Sequence, residues 1–393
     1  MTEPQNQVPV LRAGAYAMIV LAIVGVAALG AMIYAFLTVP EAAFHAYLAG
    51  YAYVLSAVLG CIAFTMISHA ANATWPVAVR RLPEALGGAM PLLALLFVPI
   101  FFGLRALYPW MRPEDYSGTA RELLEHRRAY LNPTWFAVRA IVYLAWWSAL
   151  GFLLHRWSLG MDRGADPATS SRRLRALSYA GLPLAGLTTG FSAYEWFMSL
   201  SPDLASTMFS ALWIAMCLLS GVATTVLLVA LAARSTRLAV NASHAYALGR
   251  LLFAFLIFLG YCAFFQFMLI WIANRPQEAA WYLERSHGTS RGVAYFLIFG
   301  EFTLPFLALL SYRGKRSLAT LTPIAAWTLA ALYVHVNWLI VPEAKSASVG
   351  LDLLGVLAVL APTLSYALWR QRGQPLAAAA DPRYSAALHY ASR

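Results

Sequence analysis

Apolar runs about twenty residues long recur at short intervals along this 393-residue chain, and no other feature limits its fold as tightly. An α-helix of about 17 to 25 apolar residues crosses the ~30 Å hydrocarbon layer of a bilayer. By that rule the sequence predicts ten helices, near residues 15–38, 46–68, 88–107, 134–157, 174–198, 204–232, 249–273, 291–312, 318–340 and 349–370. A membrane barrel would show short alternating segments instead of solid apolar blocks. With 61% hydrophobic and 11% charged residues, the composition is too apolar for a soluble domain. The fold class is therefore an all-α polytopic membrane protein. The first run follows a polar start whose one cation is Arg12, is too long for a signal-peptide core, and is expected to remain as a helix.

Basic residues between spans set orientation, because cytoplasmic loops retain Lys and Arg. Arg80 and Arg81, the group from Arg156 to Arg175, Arg234, Arg237 and Arg250, the group from Arg313 to Arg316, and the arginines from Arg370 onward all fall on one side. Arg112, Arg121, Arg127, Arg128, Arg275, Arg285, Arg291 and Lys345 fall on the other. The first set, with Arg12, is more than twice the second, which predicts both termini in the cytoplasm. The net charge of +11 then reads as topology and anionic-lipid contact; no basic stretch is interleaved into a soluble domain that would bind nucleic acid.

Several chemistries lack their motifs. Cys61, Cys217 and Cys262 fall inside predicted helices without C-x-x-C spacing, so they read as small buried hydrophobes and not as cluster or zinc ligands. Neither a Walker A loop nor a dinucleotide fingerprint occurs. His69 with His155, and His45 with His335, share a predicted depth, but none lies at mid-helix, where the axial ligands of a membrane haem are expected.

Polar groups within spans carry the functional signal. Glu301 lies near the midpoint of the hydrophobic run from Val293 to Leu310, where a carboxylate costs several kcal/mol unless paired, hydrated or protonated. No cation is expected at its depth. Arg139 and Glu195, on consecutive helices, have closely matching depths at 1.5 Å per residue and are placed to pair. His335, Asn337 and Asp352 gather near the outer ends of helices nine and ten. Two readings stay open: a structural ion pair with wetted interfacial groups, or a proton path with Glu301 as midplane station. The path's candidate residues are Glu301, Glu195, Arg139, His335, Gln266, Asp352 and His69, with Tyr295 and Thr303 as further relays.

Between helices three and four, Thr119 to Tyr130 reads as a short helix on the outer surface or a docking face for an extrinsic subunit. Residues 1–373 form the membrane domain. Residues 374–393 form a cytoplasmic tail, too polar to span and without a core of its own; such a tail is expected to be mobile unless partner subunits hold it.

A family resemblance rests on motifs in order from about residue 65 to 342. They are Ala73-Thr-Trp-Pro with Arg80-Arg81-Leu-Pro-Glu84, Asn132-Pro-Thr-Trp-Phe leading to Arg139, and Ser192-Ala-Tyr-Glu-Trp-Phe-Met-Ser-Leu200 before Thr207-Met-Phe. Leu248-Gly-Arg-Leu-Leu-Phe, Gln266-Phe-Met-Leu-Ile-Trp-Ile-Ala-Asn274 and Trp281-Tyr-Leu complete the set. The chain resembles the ActF-type, NrfD-like (polysulfide reductase-like) membrane subunits of bacterial alternative complex III, a quinol:cytochrome c oxidoreductase. The resemblance implies two four-helix bundles, helices two to five and six to nine, with helices one and ten peripheral. It also implies a sister NrfD-like subunit as the better quinol site, an iron-sulfur subunit, multihaem and monohaem cytochromes c, and no redox cofactor on this chain, whose role would be scaffolding or proton conduction. The sequence departs from the family pattern at Glu195, where Asp is expected, and no motif read here binds a quinone.

The rival class is an independent secondary transporter, which would show inverted repeats and paired helix breaks near a midplane site. Pro91, Pro99, Pro183 and Pro305 are candidate breakers, but no pattern paired between two halves is visible.

Overall fold

The computed structural model describes residues 14–236, 238–341 and 348–392, and every regular element among them is helical. Arg12, Arg237, Lys345 and Arg393, used above for orientation, lie outside the described residues. Nine helical segments among the described residues are long and apolar enough to cross a membrane. The protein is a helical, multi-pass membrane protein.

Helices α1 (Gly14–Thr38) and α2 (Pro40–Ala70) come first, separated by a single residue, with Pro40 opening α2 where a missing N–H costs nothing. The predicted third helix is a broken rod of α3 (Arg81–Gly87), α4 (Met90–Leu95), α5 (Val98–Phe102) and α6 (Leu104–Leu107). Gly87-Gly88, Pro91, Pro99 and Gly103 punctuate it, removing donors or weakening helix propensity. A short helix, α7 (Gly118–Arg127), lies where the sequence expected one. Then come α8 (Pro133–Asp162) and α9 (Pro167–Trp196), each started by a side-chain cap: Asn132 accepts from the Trp135 N–H and Asp166 from the Thr169 N–H.

The fifth helix starts earlier than the apolar run predicts. At 30 residues α9 is long enough to span, but Arg172, Arg173, Arg175 and its Ser, Thr and Gly content keep it outside the nine by composition.

Beyond a tight turn lie α10 (Met208–Ser235) and α11 (Ala242–Ala273), the latter closed at both ends by asparagine. Asn241 forms a capping box with His244, and Asn274 takes the left-handed conformation at φ 45°. After α12 (Pro276–Glu284), the eighth span runs from α13 (Gly288–Phe296) through a π-helical turn (Leu297–Thr303) into α14 (Leu304–Leu310). Short α15 (Tyr312–Lys315) leads to α16 (Leu318–Ile340), α17 (Val349–Gln371) and α18 (Tyr384–Leu388).

The centre of the molecule is α2, buried along almost its whole length. It packs against α10, α17, α9, α3 and α16, while α10 packs in turn on α9, α11 and α16. Where α2 crosses α10 the backbones touch at Gly60 and Gly221. A Cβ on Gly60 would fall 1.9 Å from the Cys217 carbonyl oxygen, and one on Gly221 would fall 2.1 Å from the Gly60 carbonyl carbon. Only glycine permits that approach. On the other side of α2, α1 and α17 lie together, joined by the Ser365 hydroxyl donating to the Met18 carbonyl at 2.9 Å.

The segment after α17 corrects one expectation. It folds back onto its own chain, burying Leu376, Ala377, Ala378, Asp381 and Ala387 against the α2–α3 connection and α10. Intramolecular packing holds it, where the sequence suggested a mobile tail or partner subunits. Small alanines let its backbone lie close, and Asp381 meets Arg80 at 2.8 Å.

Candidate functional site

Three groups of buried ionisable residues form within the helical body. The first joins α8 to α9. The equal depth expected for Arg139 and Glu195 is realised as contact, with Arg139 Nε donating to Glu195 Oε1 at 2.7 Å. The same oxygen accepts from the Tyr130 hydroxyl at 2.5 Å and the Tyr143 hydroxyl at 3.0 Å. Glu195 is fully buried, and its other oxygen has no hydrogen-bond partner among the described residues. The guanidinium also lies 3.9 Å over the Tyr130 ring and donates to the Tyr130 carbonyl at 2.8 Å. Three donors on one oxygen stabilise a carboxylate anion, and the glutamate reaches its arginine despite the extra methylene. Tyr143 sits one turn beyond Arg139 on the same face of α8, so it was legible in principle; Tyr130, in the preceding loop, was not.

The second group gives Glu301 a partner that the sequence had placed nearer the outer end of its helix. His335 of α16 places Nδ1 2.8 Å from Glu301 Oε2 and 3.1 Å from Oε1, with both side chains buried. Pro305 has no N–H to donate to the Glu301 carbonyl one turn back, so the helix relaxes into the π turn that carries Glu301. The Thr303 hydroxyl bonds the Ile298 carbonyl at 2.9 Å inside that turn.

Around this pair, Trp338 lies 6.1 Å from the His335 ring, and Arg285 sits 3.8 Å over Trp281, donating to the carbonyls of Trp281 and Trp338. Gln266 is buried but donates to the Tyr282 hydroxyl at 3.4 Å and not to Glu301. Tyr295 points outward at 57% exposure, which removes it as a buried relay. Asp352 occupies the first turn of α17, half-buried, without a hydrogen bond or ion pair to another side chain among the described residues.

The third group lies where α2 ends and α3 begins, and most of it was not singled out from sequence as a site. Glu84 is buried between two arginines, with Arg80 Nε at 3.0 Å and an Arg81 nitrogen at 3.8 Å. Arg81 also binds Asp162 at the end of α8. His69 is buried with Nε2 3.9 Å from Glu84, and His155 is buried on α8. Neither imidazole makes a hydrogen bond among the described residues. His45, by contrast, bonds the Glu41 carbonyl at 2.7 Å.

All three cysteines are buried and unpaired. Among the described residues no group of three or more His, Cys, Asp or Glu side chains is arranged to hold a metal ion. Chemically, both acids lie within hydrogen-bond distance of a basic side chain, Glu301 of an imidazole and Glu195 of a guanidinium. No protein-family model matches the chain, and no curated protein does.

Proposed function

We propose that the chain is the ActF-type membrane subunit of an alternative complex III, a quinol:cytochrome c oxidoreductase, without a redox centre of its own. It would serve that complex as scaffold and proton conductor. The observation that carries the proton role is the pair of buried acid–base contacts, Arg139–Glu195 and Glu301–His335, each joining consecutive long segments of a membrane protein. Ionisable groups are kept at depth in a membrane chiefly for function, and each of these acids is buried beside a basic side chain.

The helix contacts agree with two four-helix bundles. The first helix of each packs against the last of its own, α2 on α9 and α10 on α16, and each also meets the last helix of the other bundle. On this reading α1 and α17 are peripheral and the membrane is the bacterial inner membrane. Both termini are cytoplasmic, which puts the Arg80–Glu84 group at the cytoplasmic face and the Glu195 group toward the outside. The partners are a sister NrfD-like subunit bearing the quinol site, an iron-sulfur subunit, and multihaem and monohaem cytochromes c.

A second reading, a secondary transporter, draws support from the break in the span that carries Glu301, since transporters bind near broken helices. Purification separates the two. The subunit comes with haem-bearing partners, whereas a transporter comes alone and without a Soret band. In the assembled complex, Glu301→Gln keeps shape while removing the exchangeable proton, so the proton-to-electron ratio falls. An unchanged ratio with unchanged turnover removes the proton role.

A further inference from the structure

The Arg80–Glu84 group has a cover supplied from far along the chain. Asp381 is buried, and its carboxylate meets Arg80 at 2.8 Å and Arg383 at 2.9 Å. Arg383 reaches on to the Asn72 side chain at 2.9 Å, and the Ala380 N–H donates to Asp162 at 3.3 Å. The segment thus touches the end of α2, the start of α3 and the end of α8, the elements that carry His69, Glu84 and His155. Both imidazoles and both Glu84 carboxylate oxygens are buried without a well-aligned hydrogen bond.

Buried polar groups are rarely left without a partner. Glu84 has its two arginines, but the imidazoles of His69 and His155 have no hydrogen-bond partner among the described residues, and water is what would meet them. The group is also closed off: His69, Glu84 and His155 are buried, as are Leu376, Ala377, Ala378 and Asp381 of the segment beside them.

We propose that residues 374–390 form a strap, latched by Asp381 on Arg80, whose release opens the His69–Glu84–His155 group to solvent. The latch suits that task. Beside the ionic contacts the strap buries Leu376 and small alanines, leans Tyr384 on the core and Tyr390 on His244, and accepts from Asn241, but none of these groups belongs to the α2–α10 seam, so it can lift as a local unit. Arg80 remains beside Glu84 when the strap leaves, so the group keeps a counter-charge and stays folded while wet. This inference concerns access alone and does not depend on the complex proposed above.

The test uses the full-length protein in lipid nanodiscs and two variants that free the strap by different means. Asp381→Asn removes the latch charge, and Ala378→Trp overpacks the seal while leaving every charge in place. Cleavage at Arg383 by trypsin reads strap release, and diethyl pyrocarbonate modification, located by mass spectrometry, reads solvent access at His69, His155 and His335.

Loss of a charge-assisted hydrogen bond shifts such an opening about tenfold or more. Both variants are therefore expected to raise cleavage and the modification of His69 and His155 together by that factor, with His335 unchanged. Strap release while His69 and His155 stay protected overturns the proposal. So does failure of both variants to release the strap, and so does modification of His335 rising in step.

Discussion

Glu301 and His335 stand 34 residues apart in the chain, yet a carboxylate oxygen of one lies 2.8 Å from a ring nitrogen of the other, inside a π-helical turn created by Pro305. Each is the other's main polar partner. Replacing His335 by Ala strands a buried acid and is expected to destabilise the protein by about 3 kcal/mol or more, whereas His335→Ala with Glu301→Ala loses less than the single changes combined. Thermal unfolding of the four proteins in one detergent measures the coupling; additive effects mean that the contact contributes nothing.

The Arg139–Glu195 contact predicts an unequal hierarchy. Glu195→Gln leaves Arg139 facing two hydroxyls and no counter-charge, at a cost of ~3–5 kcal/mol. Tyr143→Phe removes one of three donors and costs about 1–2 kcal/mol. Equal losses in the two variants would show that the carboxylate carries no charge there.

At the crossing of α2 and α10, Gly60→Val puts side-chain atoms where the Cys217 carbonyl already is. Overpacking of this kind costs at least ~1–3 kcal/mol, and more when the obstacle is backbone. The expected result is a marked fall in unfolding temperature and in the yield of folded protein. Gly30→Val serves as the control, since no atom lies within 4 Å of a Cβ there.

The strap has its own acid dependence. Burial alone would raise the Asp381 carboxyl, but hydrogen bonds from Arg383 and the Arg80 guanidinium outweigh it and hold the carboxyl well below the usual carboxylate range. Docking that binds the ionised form is fully favoured above the unfolded value of ~3.9 and is lost only as pH falls through the lower folded value. Hydrogen-exchange protection of amides 376–388, corrected for intrinsic rates, is therefore expected to stay flat from neutral pH to about pH 5 and to fall only in stronger acid. A midpoint near pH 6 would contradict this assignment.

Apolar run length located the spans, and a lone acid inside one of them marked Glu301, because the cost of a charge in hydrocarbon is a local property of sequence. Pairing is not local. His335 was assigned a shallower depth by counting regular turns, whereas the folded segments bring it to Glu301. The polar start of α9 hid its first turns, from Pro167 to Arg173, although the helix itself was predicted from residue 174. The strap was illegible for a different reason. Leu376 and a run of alanines make a weak hydrophobic signal, and the complementarity of Asp381 to Arg80 spans most of the chain.

The glycine crossing of α2 and α10 limits the kinds of motion available to the molecule. With no side chain between the two backbones at Gly60 and Gly221, one half of the protein cannot rock against the other without opening a gap along its own axis. Relative movement of the helices is then left to segments away from this seam, such as the broken span that carries Glu301.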